Sequence, residues 1–439
     1  MPKKIPPSFA EKIQKRTARV GIIGLGYVGL PLAVEFAKQG FSTVGIDVSR
    51  ERVGSINRGI SYIPDVPSEE LSMLVKKGKL KATTNYQALS RLDGVMICVP
   101  TPLRKTRDPD ISYIVATSEE LAKYLHRHQV IVLESTTYPG TTDELILPML
   151  EATGLKVGKD FFLGFSPERI DPANKEYTTS TIPKVVSGIT PACCQAIQLL
   201  YSQVIKQVMP VSSTKVAEMV KLLENTFRSV NIGMVNELAL MCHHLGVDVW
   251  EGIEAAKSKP FGFMAFYPGP GLGGHCIPID PLYLSWKAKL HGFESRFIEL
   301  ASQVNSAMPE EVVQRVAEVL NSKGKSLKGA EILILGVAYK RDVGDTRESP
   351  AVEIIQTLQK NGARVRYHDP FVPRFKEDRI LLRSTPLTPA ALSHADCVLI
   401  VTDHTVMDYR MVVQKARLIV DTRNALRHFR PRPKKVILL

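Results

Sequence analysis

The sequence lacks the patterns that mark membrane-inserted and secreted proteins. It contains no apolar run long enough to span a bilayer, and its first residues hold no uninterrupted apolar stretch like that of a secretory signal peptide. We therefore predict a cytoplasmic protein with no membrane partner. With 439 residues, 44% of them hydrophobic, the chain is long enough to bury two or three separate cores.

Cysteine and histidine are scarce and scattered, which argues against a disulfide framework and against zinc. The six cysteines form no CxxC pair, and the ten histidines show neither HExxH nor HxxxH spacing. We expect free thiols and no bound metal.

The positive charge is concentrated at the two ends of the chain. Residues 1–19 carry six Lys or Arg against one Glu, and residues 423–439 carry six against none, so the ends supply 11 of the 13 net charges. No basic stretch is interleaved with aromatic residues. We expect solvated basic tails and no nucleic-acid partner.

A glycine-rich turn between an apolar strand and an amphipathic helix is the strongest pattern in the first half of the chain. The turn follows residues 20–23 and has the spacing GxGxxG. In this context the first glycine makes the turn, the second admits a pyrophosphate, and the third lets helix and strand close up. The predicted cofactor contacts here are Gly24, Gly26, Tyr27, Val28 and Gly29.

The residue that ends the second strand, Asp47, favours NAD over NADP as the cofactor. A carboxylate here would accept hydrogen bonds from the adenine ribose and would repel a 2′-phosphate. Arg50 nearby keeps NADP open, and a simple cap on the strand end is the alternative role for Asp47.

Further apolar runs predict a doubly wound parallel sheet around this turn. They lie at residues 94–99, 130–133 and 162–165 and are separated by segments with helical periodicity. Ligands bind outside the carboxyl ends of such strands. The side chains placed there are Thr101, a candidate cofactor contact, and Ser135, Thr136 and Glu168. Ordinary turn hydroxyls are the alternative for the first three.

A long helix is predicted from about residue 213 to Leu245, followed by a second helical segment and a second βαβ series from Gly329. Lys221 and Asn225 lie four residues apart, so they project from one face of the long helix. A surface pair is their alternative. The second series lacks the glycine fingerprint, and its first turn offers Lys340 and Arg347 to phosphates or carboxylates, unless that turn is simply solvated.

Between the two α/β halves lies the loop YPGPGLGGHCIPIDP, which ends in a cysteine. Its glycines and prolines suit a fixed, irregular backbone close to a ligand. Cys276 in such a loop is a candidate nucleophile, with Asp280 four residues later. A small buried side chain in a tight turn is the alternative for Cys276.

Six motifs, in this order, resemble those of the UDP-glucose and GDP-mannose dehydrogenase family, the nucleotide-sugar 6-dehydrogenases. The resemblance covers residues 19 to 424. The motifs are GxGxxG, STTYPG, SPE, AEMVKLLEN, GPGLGGHCIPIDP and GVAYKRDVGDTRESPA. The GGHC form, with His275, most resembles the branch that oxidises UDP-N-acetylhexosamines, with UDP-N-acetylglucosamine as the expected substrate. UDP-N-acetylmannosamine is the next candidate, followed by UDP-N-acetylgalactosamine and UDP-glucose.

The resemblance implies a four-electron oxidation of the sugar C6 alcohol to a carboxylate with two NAD in turn. Cys276 would carry a thiohemiacetal and then a thioester, Lys221 and Asn225 would stabilise the negative oxygen, and Glu168 would be the general base for hydrolysis. Asp280 and Thr136 would hold the water or relay its proton. Residues implied at the nucleotide sugar are Glu168, Lys221, Asn225, Gly273, Gly274, Lys340 and Arg423. Arg347 would face the cofactor.

We therefore expect two Rossmann-like α/β domains joined by a long central helix and a helical segment. The predicted divisions are a basic tail at 1–18, an NAD-binding domain at 19–210, a central helical domain with the cysteine loop at 211–323, and a UDP-sugar-binding domain at 324–439. In the family the central helix is also the dimer element, so a homodimer or larger homo-oligomer is implied. A non-catalytic nucleotide-sugar-binding scaffold is the alternative from another class of protein.

Overall fold

The computed structural model describes residues 7–104, 106, 108–170, 177–377 and 380–439. The chain divides into two compact units. The first unit ends at Glu224 and also contains Trp286–Gly292, and the second unit contains Asn225–Ser285 and Phe293–Leu439. No helix among the described residues is both long and apolar enough to cross a membrane.

The first unit contains a parallel sheet with helices on both faces. Its helices and strands, in chain order, are α1 (Pro7–Gln14), β1 (Arg19–Ile23), α2 (Gly29–Lys38), β2 (Ser42–Ile46), α3 (Arg50–Asn57), α4 (Ser68–Lys76), β3 (Leu80–Thr83), β4 (Gly94–Ile97), α5 (Ser112–Tyr124), β5 (Val130–Leu133), α6 (Leu147–Glu151), β6 (Phe162–Phe165), β7 (Lys184–Val186), α7 (Pro191–Tyr201), β8 (Val208–Pro210) and the start of α8 (Thr214–Leu245). A 3₁₀ helix at Tyr86–Arg91 and a π-helix at Thr141–Ile146 complete it.

The strand order of this sheet is β3-β2-β1-β4-β5-β6, and all neighbours are parallel. This is the dinucleotide-binding order, in which the chain reverses direction across the sheet between β1 and β4. The predicted doubly wound sheet is confirmed. The carboxyl ends of β1, β4 and β5 lie at one edge, which is where the polar turns of the sequence were expected.

The strands are continuous apolar runs because both faces of the sheet are covered. Along β5, Val130 and Val132 belong to one hydrophobic core, whereas Ile131 and Leu133 belong to the core on the other face. This period of two is the pleat of a strand buried on both sides.

The N-terminal segment is not a solvated tail over residues 7–14, so that expectation is wrong there. These residues form α1, which buries Phe9 and Ile13 in the core beside β6, and the Phe9 ring stacks 6.2 Å from that of Phe162. Lys12 pairs with Asp93 at 2.7 Å. Apolar residues at positions 9 and 13 lie one turn apart on a helix, so they face the core while the lysines point outward. Residues 1–6 lie outside the described part of the chain.

The second unit contains the rest of α8 and a second parallel sheet. Its further elements, in chain order, are α9 (Val249–Lys257), α10 (Asp280–Leu290), α11 (Arg296–Asn321), β9 (Glu331–Leu335), α12 (Pro350–Lys360), β10 (Arg364–His368), β11 (Arg374–Glu377), β12 (Ile380–Arg383), α13 (Pro389–His394), β13 (Cys397–Ile400), α14 (Tyr409–Lys415), β14 (Ile419–Asp421) and β15 (Val436–Leu438). The last five residues of α10 belong to the first unit.

The second sheet has the order β10-β9-β13-β14-β15, again with every pair parallel. With the β11–β12 hairpin set aside, this is the other common doubly wound order, so the prediction of a second Rossmann-like domain is confirmed. Strand β15 lies in the basic C-terminal segment and pairs with β14. The expected solvated tail is therefore wrong for Val436–Leu438, which extend the sheet.

Candidate active site

The glycine-rich turn of the first unit has the geometry that its three glycines predict. Gly24 adopts φ +89°, and a Cβ atom on it would lie 2.5 Å from the carbonyl oxygen of Cys98. A Cβ atom on Gly29 would lie 1.8 Å from the oxygen of Gly24, so helix α2 could not approach β1. At Gly26 a Cβ atom would meet no protein atom within 4 Å. Packing within the chain therefore explains the outer glycines, and Gly26 suits the approach of a ligand. Tyr27 and Val28, both half-buried, occupy the turn between them.

Asp47 lies at the end of β2 and holds this turn. Its buried carboxylate accepts hydrogen bonds from the backbone N–H groups of Leu25 and Ser49, both at 2.8 Å. The nearby cation is Arg52, 3.5 Å away, rather than Arg50, on which the NADP alternative depended. The capping role is thus present, and the ribose contact stays a prediction for the same carboxylate.

The turn after β5 carries Ser135 and Thr136, which have different roles. The Ser135 hydroxyl donates to the carbonyl oxygen of Val99 at 2.8 Å, so it ties two turns together. Thr136 accepts a hydrogen bond from the ammonium group of Lys221 on α8 at 2.5 Å. Two of the predicted catalytic residues are therefore in direct contact. Thr101 lies half-buried after β4.

A residue that the sequence analysis missed, Glu218, holds this turn against α8. Its carboxylate accepts hydrogen bonds from the N–H groups of Gly140 (2.5 Å) and Thr142 (2.9 Å) and from the Thr142 hydroxyl (2.7 Å). Burial raises the pKa of Glu218 to about 7, although these hydrogen bonds favour the ionised form. Glu218 lies three residues before Lys221, so both side chains project from the same face of α8. Glu218 thereby holds the turn where Lys221 can contact Thr136.

Glu168 follows β6 and is part of a buried ion cluster. One carboxylate oxygen lies 2.7 Å from the ammonium group of Lys184, and the other accepts from the N–H groups of Arg169 and Ile170 at 2.8 and 2.9 Å. Lys184 also contacts Glu134 at 2.7 Å. The sequence analysis named neither Lys184 nor Glu134, since a single lysine at the start of a short strand carries no motif.

The two carboxylates of this cluster differ in how easily they hold a proton. Burial would raise the pKa of Glu168, but the charge of Lys184 and the backbone hydrogen bonds outweigh it, so that the pKa lies below its ordinary value. Burial dominates at Glu134 and raises the pKa of that carboxyl. Of the two carboxyl groups, Glu168 is therefore the one that gives up its proton more readily.

In the second unit, Asn225 and Asp280 are in contact at the start of α10. The Asn225 amide donates to the buried Asp280 carboxylate at 2.7 Å. The Asp280 N–H donates to the carbonyl oxygen of Cys276 at 2.8 Å, which closes one turn between them. Cys276 itself is exposed, so the alternative of a buried cysteine in a tight turn is wrong.

The glycines of the cysteine loop are explained by close packing against the turn after β9. A Cβ atom on Gly273 would lie 2.6 Å from the Tyr339 Cβ, and one on Gly274, which has φ +79°, would lie 2.8 Å from the Tyr339 ring. The Gly274 N–H donates to the carbonyl oxygen of Arg347 at 3.1 Å. The backbone of the loop is therefore held in one position relative to this turn, and contact of Gly273 and Gly274 with substrate stays a prediction.

The predicted cations of the second unit lie after its parallel strands. Arg347 forms a bidentate pair with Asp345, in which Nη2 donates to Oδ2 at 2.5 Å and Nε donates to Oδ1 at 2.9 Å, and Lys340 is half-buried in the same turn. Arg423, after β14, donates to the carbonyl oxygen of Val401 at 2.9 Å, and burial lowers its pKa. A Cβ atom on Gly269 of the cysteine loop would lie 2.5 Å from this guanidinium. Arg423 thus supports the loop that carries Cys276.

No group of three or more His, Cys, Asp or Glu among the described residues could hold a metal ion. Within the first unit the structure brings Thr136 to Lys221, and Glu168 to Lys184 and Glu134. Within the second unit it brings Asn225 to Asp280.

Comparison with known proteins assigns most of the chain to the family that the motifs resemble. The NAD binding, central and UDP binding domains of the UDP-glucose/GDP-mannose dehydrogenase family match residues 18–205, 215–307 and 333–428. The UDP-N-acetyl-D-glucosamine 6-dehydrogenase of Pseudomonas aeruginosa is 38% identical over 81% of this chain and 83% of its own length. The UDP-N-acetyl-D-mannosamine dehydrogenase of Pyrococcus horikoshii is 34% identical over 93% and 96%.

A solved structure of the Pyrococcus horikoshii UDP-D-ManNAc dehydrogenase has the same fold. It superposes with a TM-score of 0.87 at 33% identity and covers 96% of this chain and 98% of that one. These matches confirm the resemblance on which the sequence analysis depended. The chain belongs to the UDP-glucose/GDP-mannose dehydrogenase family and is an NAD-dependent UDP-sugar 6-dehydrogenase.

Proposed function

We propose that this enzyme oxidises the C6 hydroxyl of UDP-N-acetylglucosamine to the uronate, with Cys276 as the covalent nucleophile. The observation that carries the proposal is the exposed Cys276 at the end of a tightly packed glycine loop, one turn before the buried Asp280. Such a loop presents sulfur at a defined position with little conformational freedom to lose on binding. Gly26 and Asp47 suit NAD, which when bound accepts the two electrons of each oxidation.

Different residues act as the nucleophile and stabilise the negative oxygen during the two oxidations. The Cys276 thiolate adds to the aldehyde carbon to form a C–S bond, and oxidation of this thiohemiacetal gives a thioester. Lys221 and Asn225 stabilise the negative oxygen on C6, since a fixed cation in a buried site acts strongly on a developing charge.

Hydrolysis of the thioester needs a base and an ordered water. Glu168 is ionised beside Lys184 and takes the proton of the water, while Thr136 and Asp280 hold the water or relay the proton. Gly273, Gly274, Lys340 and Arg423 contact the nucleotide sugar, together with Glu168, Lys221 and Asn225. Arg347 contacts the cofactor. We also propose that the NAD-binding domain ends at residue 210 and that the central domain ends at residue 323, where the UDP-sugar-binding domain begins.

The names of the relatives support an N-acetylhexosamine without selecting one. Two relatives, from Pseudomonas aeruginosa and Salmonella typhi, are N-acetylglucosamine enzymes, and a third, from Ralstonia solanacearum, is named NDP-N-acetyl-D-galactosaminuronic acid dehydrogenase. The Pyrococcus protein acts on the mannosamine epimer. UDP-N-acetylmannosamine is therefore the second candidate substrate.

The test is the amount of NADH formed per sugar consumed. Purified protein is given NAD with UDP-N-acetylglucosamine, UDP-N-acetylmannosamine, UDP-N-acetylgalactosamine or UDP-glucose in separate reactions. We expect two NADH per sugar, with the highest kcat/KM for the glucosamine epimer. A higher kcat/KM for another sugar moves the substrate assignment to that sugar. Binding of sugar and NAD without NADH would refute the enzymatic proposal.

We also propose that the enzyme is a homodimer that pairs through α8 and α11. Large apolar side chains are exposed on α8 at intervals of three, four and seven residues, the spacing of one helix face. They are Phe227, Met234, Leu238, Met241 and Leu245, with Phe297 and Leu300 on α11. Helices α8 and α11 pack closely at Gly233, where a Cβ atom would lie 3.1 Å from the Ala301 Cα. Exposed apolar side chains repeated along one helix face favour burial against a second copy of the chain.

Met234→Asp is expected to weaken this association by at least about 100-fold, because burying an unpaired carboxylate costs several kcal/mol. Sedimentation velocity over a concentration series measures the shift. The control is Met73→Asp on α4, since Met73 is 45% exposed and Met234 is 48% exposed, and both lie in helices. A monomeric wild type, or unchanged association of Met234→Asp, would contradict the dimer.

A further inference from the structure

Lys184 is a buried lysine outside the motifs of the sequence, and it bridges two buried glutamates. It is 4% exposed, and its ammonium group lies 2.7 Å from carboxylate oxygens of both Glu134 (1% exposed) and Glu168 (7% exposed). One positive charge between two carboxylates in a buried cluster cannot compensate both fully. The surroundings of the two carboxylates therefore decide on which of them the negative charge is better stabilised.

The two ends of this bridge are built differently. At Glu168, two backbone N–H groups donate to the oxygen that does not contact Lys184. Backbone donors favour a carboxylate over a carboxylic acid. At Glu134, the partner is the hydroxyl of the fully buried Tyr201, which can either donate or accept. The cluster is arranged so that the negative charge is best stabilised on Glu168.

The other titratable groups around the bridge do not replace Lys184. From α7, the Tyr201 ring lies 5.5 Å from the ammonium group, and burial raises the pKa of its hydroxyl well above the ordinary value. Cys98, directly after β4, is buried, which raises the pKa of its thiol well above the ordinary value. Lys221 on α8 adds a weaker electrostatic stabilisation of ionised Glu168. The Arg169 guanidinium is paired with Glu224. Among the residues that the structure describes, Lys184 is the cation that donates a hydrogen bond to Glu168.

We propose that Lys184 is a positioning residue for thioester hydrolysis, which keeps the Glu168 carboxylate ionised and aimed by fixing one of its oxygens. This inference rests on the proposed function. In the step concerned, the water oxygen bonds to the thioester carbon, the C–S bond breaks, and the electron pair leaves with the Cys276 sulfur. Glu168 takes one proton of the water. A protonated Glu168 could not take that proton, so the step would stop at the acylated cysteine.

Lys184→Met is expected to make hydrolysis dependent on pH in the neutral range. Removing the adjacent cation raises the pKa of a carboxylate by about 1–3 units, and burial adds to this rise. Wild-type hydrolysis should be flat from about pH 6 to 9, whereas the variant should slow about tenfold for each pH unit below its new midpoint and recover above it. Single-turnover reactions followed by intact-mass measurement give the rate at which the Cys276 adduct disappears.

Glu134→Gln is the matched control, because it disturbs the same buried cluster with the opposite electrostatic sign. It removes a carboxylate and keeps Lys184 beside Glu168, so the midpoint should stay in place or move down. A loss of rate that recovers at high pH only in Lys184→Met supports the proposal. An equal upward shift in both variants, or a pH-independent loss in Lys184→Met, overturns it. If Lys184→Met does not fold, Glu134→Gln/Lys184→Met removes one buried carboxylate and tests the same upward shift.

Two further readouts separate this inference from the proposed function. Infrared titration with isotope-labelled glutamate follows the protonation of Glu168 without substrate, with Glu168→Gln identifying its band. The band should titrate about 1–3 pH units higher in Lys184→Met, and an unchanged midpoint would overturn the assignment. A wild type that forms neither NADH nor an adduct would refute the proposed function instead, whatever the titration shows.

Discussion

Cys276→Ser is expected to bind NAD as the wild type does and to form no uronate, with a loss of at least about 10³-fold in turnover. A thiolate forms from a thiol near neutral pH, whereas a serine hydroxyl keeps its proton unless a base removes it. Hydrolysis must also break the bond between the acyl carbon and residue 276. The serine alkoxide is a poorer leaving group than the cysteine thiolate. Because Cys276 is exposed and its loop is held by glycine packing, the substitution should leave the loop unchanged.

The measurement combines NAD affinity by calorimetry with NADH stoichiometry and product analysis. Cys194→Ser is the control, since Cys194 is a half-buried cysteine on α7. Burial and, to a smaller extent, the neighbouring Cys193 raise the pKa of the Cys194 thiol. The control should retain wild-type turnover. Uronate formed by Cys276→Ser at a rate near that of the wild type would remove the cysteine from the mechanism.

The parts of the fold that could be predicted from the sequence are those governed by local physics. Continuous apolar runs such as 130–133 fit strands covered on both faces, and the three spaced glycines permit a turn that Cβ atoms would block. The helix of α8 was predicted from periodicity to within a residue of its observed bounds. Each of these signals lies within a short stretch of chain.

The parts that could not be predicted depend on residues far apart in the chain. Lys184 lies 50 residues from Glu134 and 16 from Glu168, and nothing in the local sequence joins them. Glu218 contacts N–H groups 76 to 78 residues earlier. The expected N-terminal tail was inferred from its net charge alone. The segment forms α1 because Phe9 and Ile13, one helical turn apart, are buried in the core.

Helix α8 joins the turn after β5 through two side chains on one face. Glu218 takes the N–H groups of the turn, and Lys221, one turn later, donates to Thr136. The contact of Glu218 fixes the backbone of the turn. Less conformational freedom is therefore lost when Lys221 donates to Thr136. The motif containing both residues therefore holds a structural acid, Glu218, beside Lys221, the cation of the proposed mechanism, and their spacing of three residues lets both reach the same turn.

Lys221→Met is accordingly expected to lower kcat by about 10²–10³-fold with little change in NAD affinity. The methionine fills a similar volume in a buried position, so the main loss is the charge that stabilises the negative oxygen on C6. Stopped-flow NADH traces separate the first and second oxidations, and both should slow, since each passes through an oxyanion at C6 in the proposed mechanism.

Lys215→Met on the same helix is the matched control for this change. Lys215 forms an exposed ion pair with Glu144, a contact of the kind that contributes about 0–1 kcal/mol, so turnover should stay near that of the wild type. A thermal midpoint close to that of the wild type in both variants would exclude unfolding as the cause. If Lys221→Met slows only the release of the Cys276 adduct and leaves both NADH phases unchanged, Lys221 belongs to hydrolysis and the oxyanion role is wrong.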